Sequence, residues 1–224
     1  MALLALDSRP VLAAVVRLPT RGVWTASLDL DTDTVPSGRV TVACDGADPL
    51  VGTVIDGAMV GRVARVLVVG GAGGLRTPLD PLAFQSGTLG DVLSATLREA
   101  GETLSATSDT LSSRAMIRWH RQRGAAALAV GSLAASAGLT WRVLRDGTVW
   151  LGTDAFEAAP DGDRSVVGRD PLLGLWTWAA DALDVVPGAR VRLGDDAGDT
   201  FVRVVEIVYT LDGERLTATA TEAA

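Results

Sequence analysis

Residues 66–75 read VLVVGGAGGL, four apolar residues followed by four glycines in five positions. A strand that runs into glycines is either the opening of a nucleotide-binding site or a strand that leaves a sheet through a bend. A dinucleotide site needs G-x-G-x-x-G with a helix starting inside the motif, so that backbone amides and the helix dipole meet the pyrophosphate. Gly71-Ala72-Gly73 supplies the first half, but Arg76 stands where the third glycine belongs. The following TPLDPLAF carries Pro78 and Pro81 and no helical period, so no helix is expected to start here. The glycines instead permit positive φ and a sharp exit from a β-unit, with Leu75 returning to the core.

The neighbouring sequence supports that reading. Val11 to Leu18 is an apolar run. Val23 to Leu30 alternates, with Trp24, Ala26, Leu28 and Leu30 facing a core and Asp29, Asp31 and Asp33 facing water. TDTVPSG reads as a turn, GRVTVAC as a short strand and CDGADP as another turn. Leu50–Ile55 and Arg62–Val69 pair across the link DGAMVG. Short strands at this spacing predict a small barrel or sandwich.

From Thr88 the period changes. Thr88 and Asp91 form a capping box, Leu89, Val92, Leu93, Leu97 and Ala100 share one face, and Gly101 is placed to end the helix. A second helix is predicted from about Gly124 to Ala137, with Leu128, Leu133, Ala134 and Ala137 near one face and Gly138 after it. RAMIRWHRQ, between them, suits strand or helix. TWRVLRDGTVWLG predicts a hairpin with Asp146-Gly147 as a two-residue turn, which pairs Leu144 with Val149 and Val143 with Trp150. EAAPDGDRSVVGRDP is a loop by its proline, glycine and charge. GARVRLG and FVRVVEIVYTLDGERLTATAT then return to strands, with Asp212-Gly213 marking a second hairpin.

Composition removes several kinds of chemistry. Cys44 is the only cysteine and His120 the only histidine, so an intrachain disulfide is impossible and a Cys/His zinc site lacks ligands. His120 lies among Arg118, Arg121 and Arg123, which disfavour an imidazolium, and no G-x-S-x-G elbow is present. All 20 basic residues are arginine, and 27 acidic residues bring the net charge to −7. A basic footprint for duplex binding is absent, whereas an acidic wall that nucleic acid passes without sticking fits the sign. No apolar run reaches the roughly 18–20 residues of a membrane span, and the first residues do not read as a secretory signal. A soluble cytoplasmic product is expected. No catalytic, metal or cofactor site is assigned, and no cofactor is expected.

The order of these pieces resembles phage tail baseplate hub proteins, the group that includes late-control D proteins and the hubs of contractile injection machines. The matching stretches are VWTASLDLD, GTVIDG, VARVLVVGGAGGL, TLGDVLSATLREAGE, RWHRQRG, AAALAVGSLAASAGLTWRVLRDGTVWLG, VVPGARVR and RVVEIVYTLDGERL. Together they cover most of the chain, and the specificity lies in their order. The resemblance implies an α+β, β-rich fold of two small β-barrels joined by a short α/β segment. Residues 1–80 would form the first barrel, 81–155 the middle segment with two helices and a hairpin, and 156–224 the second barrel. It implies a structural role and no enzymatic one. Three copies would form a pseudo-sixfold ring that joins the tail tube to the central spike, with the tape-measure protein as a further partner. Nucleic acid would meet the ring only in passage, with no membrane binding. The place would be the virion baseplate, assembled in the host cytoplasm. The chain is short for a hub and carries no evident lysozyme or spike domain.

Two sets of residues are candidates for that role. Trp176 and Trp178 share a parity, and with Leu172, Leu173 and Leu175 they are candidates for subunit burial, although tryptophans of this pattern also suit a core. Asp29, Asp31 and Asp33, and Asp195, Asp196 and Asp199, are candidates for lining the channel, or else are solvated loop carboxylates. The competing functions are a carbohydrate- or host-binding β-module, in which the six tryptophans would stack on sugars, and a nucleotide-dependent enzyme built on the glycine run.

Overall fold

The computed structural model describes residues 3–108, 114–116, 118–159, 164–195 and 198–223. Its first six strands are β1 (Leu4–Leu6), β2 (Arg9–Pro19), β3 (Thr25–Leu30), β4 (Gly38–Cys44), β5 (Ala47–Val60) and β6 (Val63–Gly70). They pair antiparallel in the order β1-β4-β5-β6-β3-β2, and β1 returns to pair with β2, so the sheet closes into a six-stranded barrel. Closure leaves no edge within the ring, and the alternating residues of each strand fill the interior. Trp24, Ala26, Leu28 and Leu30 are all buried there, as their alternation predicts. The link DGAMVG is strand, not loop: β5 runs on to Val60, opposite Val63, with a bulge at Ile55 that re-aims the strand.

The middle segment contains β7 (Pro78–Leu79), β8 (Leu82–Phe84), α1 (Leu89–Ala100), β9 (Trp119–Arg121), β10 (Gly124–Ala125), α2 (Ala126–Ser136), β11 (Thr140–Val143) and β12 (Val149–Gly152). The capping box forms as the sequence requires: Asp91 N donates to Thr88 Oγ1 at 3.2 Å and Thr88 N donates to Asp91 Oδ2 at 2.9 Å. Thr88 Oγ1 also donates to Asp91 Oδ2 at 2.8 Å, and this bond, with the one from Thr88 N, holds the Asp91 carboxyl below its usual range. Leu89, Val92, Leu93, Leu97 and Ala100 are buried, and α1 packs against α2. In α2 the expected face is only partly right. Leu133 and Ala134 are buried, but Leu128 is exposed, and Ala126, Ala129 and Val130 pack inward instead. A helix this rich in alanine carries too weak a polar contrast to fix its own rotation.

The β11–β12 hairpin is in a register one residue away from the predicted one. Val143 faces Val149 and Arg142 faces Trp150. Leu144 N donates to Thr148 O, Gly147 N donates to Leu144 O, and Gly147 sits at φ +81°, so the turn carries a glycine bulge that adds one residue. Asp146 Oδ1 accepts from Thr148 N at 2.9 Å and fixes this form over the two-residue turn.

The remaining strands are β13 (Val166–Asp170), β14 (Leu175–Ala179), β15 (Arg190–Asp195), β16 (Gly198–Asp212) and β17 (Arg215–Glu222). The β16–β17 hairpin forms as expected, but its loop is Gly213-Glu214 and not Asp212-Gly213, because Asp212 pairs with Arg215 as the last residue of its strand. β16 also pairs with β2, so the barrel sheet continues as β2-β16-β17-β14-β13. β15 pairs with the start of β16, and a single parallel bridge, Ser165 to Gly194, links it to the head of β13. One closed barrel, further strands on the same sheet and two helices make up the β-rich α+β fold.

Candidate functional site

The glycine turn is already occupied. Past β6 the backbone amides of Ala72, Gly74 and Leu75 converge, and all three donate to the Glu102 carboxylate, at 2.9, 2.8 and 3.3 Å. Such a concave set of N–H groups suits an anion, and here the anion is a buried side chain of the same protein. Gly71 and Gly73 take the positive φ expected of the run, +82° and +84°, and close packing accounts for Gly70 and Gly74. A Cβ on Gly74 would lie 1.7 Å from Ala100 O, and one on Gly70 would lie 2.5 Å from Nε1 of Trp24. Leu75 is buried, as expected. The turn ties the barrel exit to the end of α1.

The strand registers place one continuous face across the molecule. Thr53, Val69, Thr25, Arg17, Val208, Thr219, Thr177 and Gly168 stand side by side on β5, β6, β3, β2, β16, β17, β14 and β13. The opposite face of the same strands is core: Val16, Tyr209, Ala218 and Trp178 form one buried row. Tyr209 has its hydroxyl inside, donating to Val185 O and accepting from Val185 N, and burial pushes its pKa well above the ordinary value. The outer face is rich in hydroxyls, with Ser27, Thr210, Thr217 and Thr221 adding to the threonines above, and carries the exposed apolar side chains of Val15 and Leu67 beside Ser27.

Asp29 belongs to that outer face. It accepts two hydrogen bonds from Arg65 of β6, at 2.7 and 2.8 Å, which hold its carboxyl below its usual range. Arg17 of β2 likewise bonds Glu206 of β16 at 3.3 Å. The carboxylate of Asp29 is therefore balanced where it stands. Asp31 and Asp33 are exposed in the loop after β3. Asp196 and the side chains of Asp195 and Asp199 lie outside the described residues.

Of the two readings of Trp176 and Trp178, the core one describes their place: both are buried beneath the sheet, and Arg169 stacks over Trp176 at 4.1 Å. Leu175 is half-buried. Leu172 and Leu173 are not part of that packing and stand exposed on the turn between β13 and β14. The other tryptophans do not form a sugar platform: Trp24, Trp119 and Trp150 are buried and Trp141 is partly buried.

An apolar cleft of about 530 Å3, for which no local sequence pattern was a sign, lies at the end of the barrel. Its walls are Leu18, Pro19 and Trp24, the run Asp48–Val51, the β11–β12 turn, and Val186-Pro187. The hairpin is seated there by backbone bonds, Gly22 N to Trp141 O and Val51 N to Arg145 O. Arg145 donates to Asp48 O and Leu183 O and so joins three parts of the chain; its burial lowers the guanidinium pKa from the ordinary value. Arg142 pairs with Asp154 and stacks over Trp150.

Cys44 is buried, which pushes its thiol pKa up and makes it a poor nucleophile. His120 is exposed on β9, opposite Ala83 of β8. Among the described residues no group of three His, Cys, Asp or Glu could hold a metal ion, and no helix is long and apolar enough to cross a membrane.

No protein-family model and no curated protein matches the sequence. Solved structures do match the fold. The 43 kDa tail protein of prophage MuSo2 from Shewanella oneidensis aligns with a TM-score of 0.69 at 12% identity, covering 98% of this chain and 96% of that one. A tail protein from Neisseria meningitidis aligns with a TM-score of 0.68 at 14% identity, covering 99% and 96%. The E. coli c3393 protein, a type VI secretion component described as structurally similar to the T4 tail proteins gp27 and gp5, aligns with a TM-score of 0.71 at 13% identity, covering 99% and 77%. Over nearly its whole length, this chain has the fold of phage and prophage tail proteins and of a type VI secretion component.

Proposed function

We propose that this chain is a structural, non-catalytic hub of a phage tail or related injection machine. Three copies form a ring between tube and spike, within the tail of the particle. The observation that carries the reading is the eight-strand outer face, which runs unbroken from the barrel into the second set of strands. Among the described residues, spare backbone remains at two places. Residues 56–60 of β5 overhang β4 and pair with β6 alone, and β13 pairs with β14 and, beyond that, only through the bridge at Ser165. Spare strand edges are a liability in a lone subunit and a joint in a ring. In this reading residues 1–80, 81–155 and 156–224 act as first barrel, connector and second barrel-like unit, and the spare edges of neighbouring copies meet.

The outer face then lines the passage. Its threonines and serines offer no fixed charge, Arg65 and Arg17 are each bonded to a carboxylate, and Arg215 of β17 stands opposite Asp212 of β16, so the arginines of the wall are matched by acids and hold phosphate weakly. The channel is neutral where Asp29 lies, and any acidic excess comes from its rims, where Asp31 and Asp33 are exposed. Sedimentation of the purified chain, with electron microscopy of assembled tails, tests the proposal. A trimer and a threefold ring are expected. A monomer at every concentration and no ring in the particle would refute it.

A further inference from the structure

The turn from β13 to β14 carries the most exposed large apolar side chain among the described residues: Leu172 is 95% exposed, and Leu173 beside it is 64% exposed. The turn is built to hold them there. Asp170 Oδ1 accepts from Leu172 N at 3.0 Å and from Leu173 N at 3.2 Å, and Glu222 N donates to Gly174 O at 2.9 Å. An ordered pair of leucines presented to water is a cost that burial in a partner relieves. The same chain holds an apolar cleft of about 530 Å3, a size that accepts side chains of this kind.

We propose that the Leu172–Leu173 tip of one copy seats in the apolar cleft of the next copy, walled by Pro19, Val51, Leu144, Val186 and Pro187. The inference rests on the ring reading above. Three observations favour a second copy as the occupant.

The registers place tip and cleft at one end of the shared sheet. Leu175, next to the tip, lies across from Thr221, then Glu206, then Pro19 of the cleft wall. Thr53 of β5 lies in the row of Arg17, so Val51 is two residues further toward that same end. The tip is on the β13 flank and the Asp48–Val51 wall on the β5 flank, so side-by-side copies bring one to the other. The charges agree as well. Arg169 is exposed at the base of the tip, whereas Asp48 and Asp146 are exposed at the mouth of the cleft. The symmetry also fits, because tip and cleft are different surfaces. A contact between them is heterologous, and heterologous contacts that close make rings.

The test uses Leu172→Cys and Val186→Cys, two exposed positions, made in separate full-length chains. The two are mixed, reassembled and treated with a short bismaleimide. A covalent dimer is expected in the mixture and in neither variant alone; wild type, whose one cysteine is buried, stays uncoupled. Leu172→Asp with Leu173→Asp should abolish the trimer in sedimentation while leaving the thermal midpoint of the monomer unchanged. Coupling of Leu172→Cys with itself would overturn the proposal in favour of a two-fold contact. A trimer that survives the double aspartate variant would overturn the seating but leave the ring reading intact. A wild-type chain that is monomeric at all concentrations would overturn both.

Discussion

The barrel of β1–β6 and the strands β13–β17 share one sheet but finish it differently. In the first half β1, three residues long, pairs with both β2 and β4 and closes the ring. In the second half the corresponding junction, among the described residues, is the bridge from Ser165 to Gly194. Their cores differ to match. The closed barrel is filled mainly by aliphatic side chains such as Leu4, Leu6, Leu28, Leu30 and Val66, with the one tryptophan Trp24, whereas Trp176, Trp178 and Tyr209 fill the space under the second half. Closure lets medium-sized aliphatic side chains complete a small interior. The second half uses three large rings, and among the described residues β13 keeps a strand edge away from β14, which in the proposed ring meets a neighbour.

If this contrast is correct, the open half depends more on single large side chains. Trp178→Ala should cost about 3–5 kcal/mol, against about 2–5 kcal/mol for Leu28→Ala. Both should unfold in a single denaturant transition, because β2 and β16 pair along most of their common length. Two separated transitions in either variant would show that the halves are independent, against the shared sheet.

The joint between the closed barrel and the middle segment offers the next test. Glu102→Gln keeps an acceptor but brings an amide NH2 against N–H groups that need acceptors. A cost of about 1–3 kcal/mol is expected, read as a lower denaturation midpoint. Hydrogen exchange should show faster opening at Ala72, Gly74 and Leu75 than in the strands of the barrel. An unchanged midpoint would mean that solvent replaces the carboxylate without loss.

What the residues disclosed, and what they withheld, follows the range of the interactions. The alternation of Trp24, Ala26, Leu28 and Leu30 is local, and so is the Thr88–Asp91 cap; both were legible. The tryptophans of β14 were legible as a pair on one face, but not as to which side of that face would be covered. The hairpin at Asp146-Gly147 was legible as a hairpin, yet its register turned on one side-chain bond, Asp146 to Thr148. Leu128 was expected on the packed face and is exposed, since the small residues around it leave α2 without a clear polar side. The Glu102 cradle spans 27–30 positions, and the β2–β16 joint brings together Arg17 and Glu206, 189 positions apart. No local pattern encodes pairings at that distance. The cleft, assembled from four remote segments, left no trace for the same reason.

The helix cap between the two halves is a smaller test. Thr88→Ala removes the acceptor for Asp91 N and should cost about 1 kcal/mol. Both halves should keep their relative exchange rates, because the cap belongs to neither. A change confined to the barrel strands would mean that α1 supports the closed half alone.

Acid should separate the outer face from the core with the smallest effect. The Asp29 carboxyl is held below its ordinary value by Arg65, so in acid the unfolded chain takes up its proton first. The pair's contribution is thus complete above the ordinary carboxylate range, about pH 4, and fades as pH falls through the lower folded value. Asp29→Asn should flatten the fall of the denaturation midpoint between about pH 5 and pH 3, relative to wild type. The Arg65 side chain is 59% exposed, so added salt should shrink the difference. Trp178→Ala lowers the midpoint without altering that slope, since no titrating group is removed from the core. A slope unchanged in Asp29→Asn would place the acid response elsewhere on the sheet.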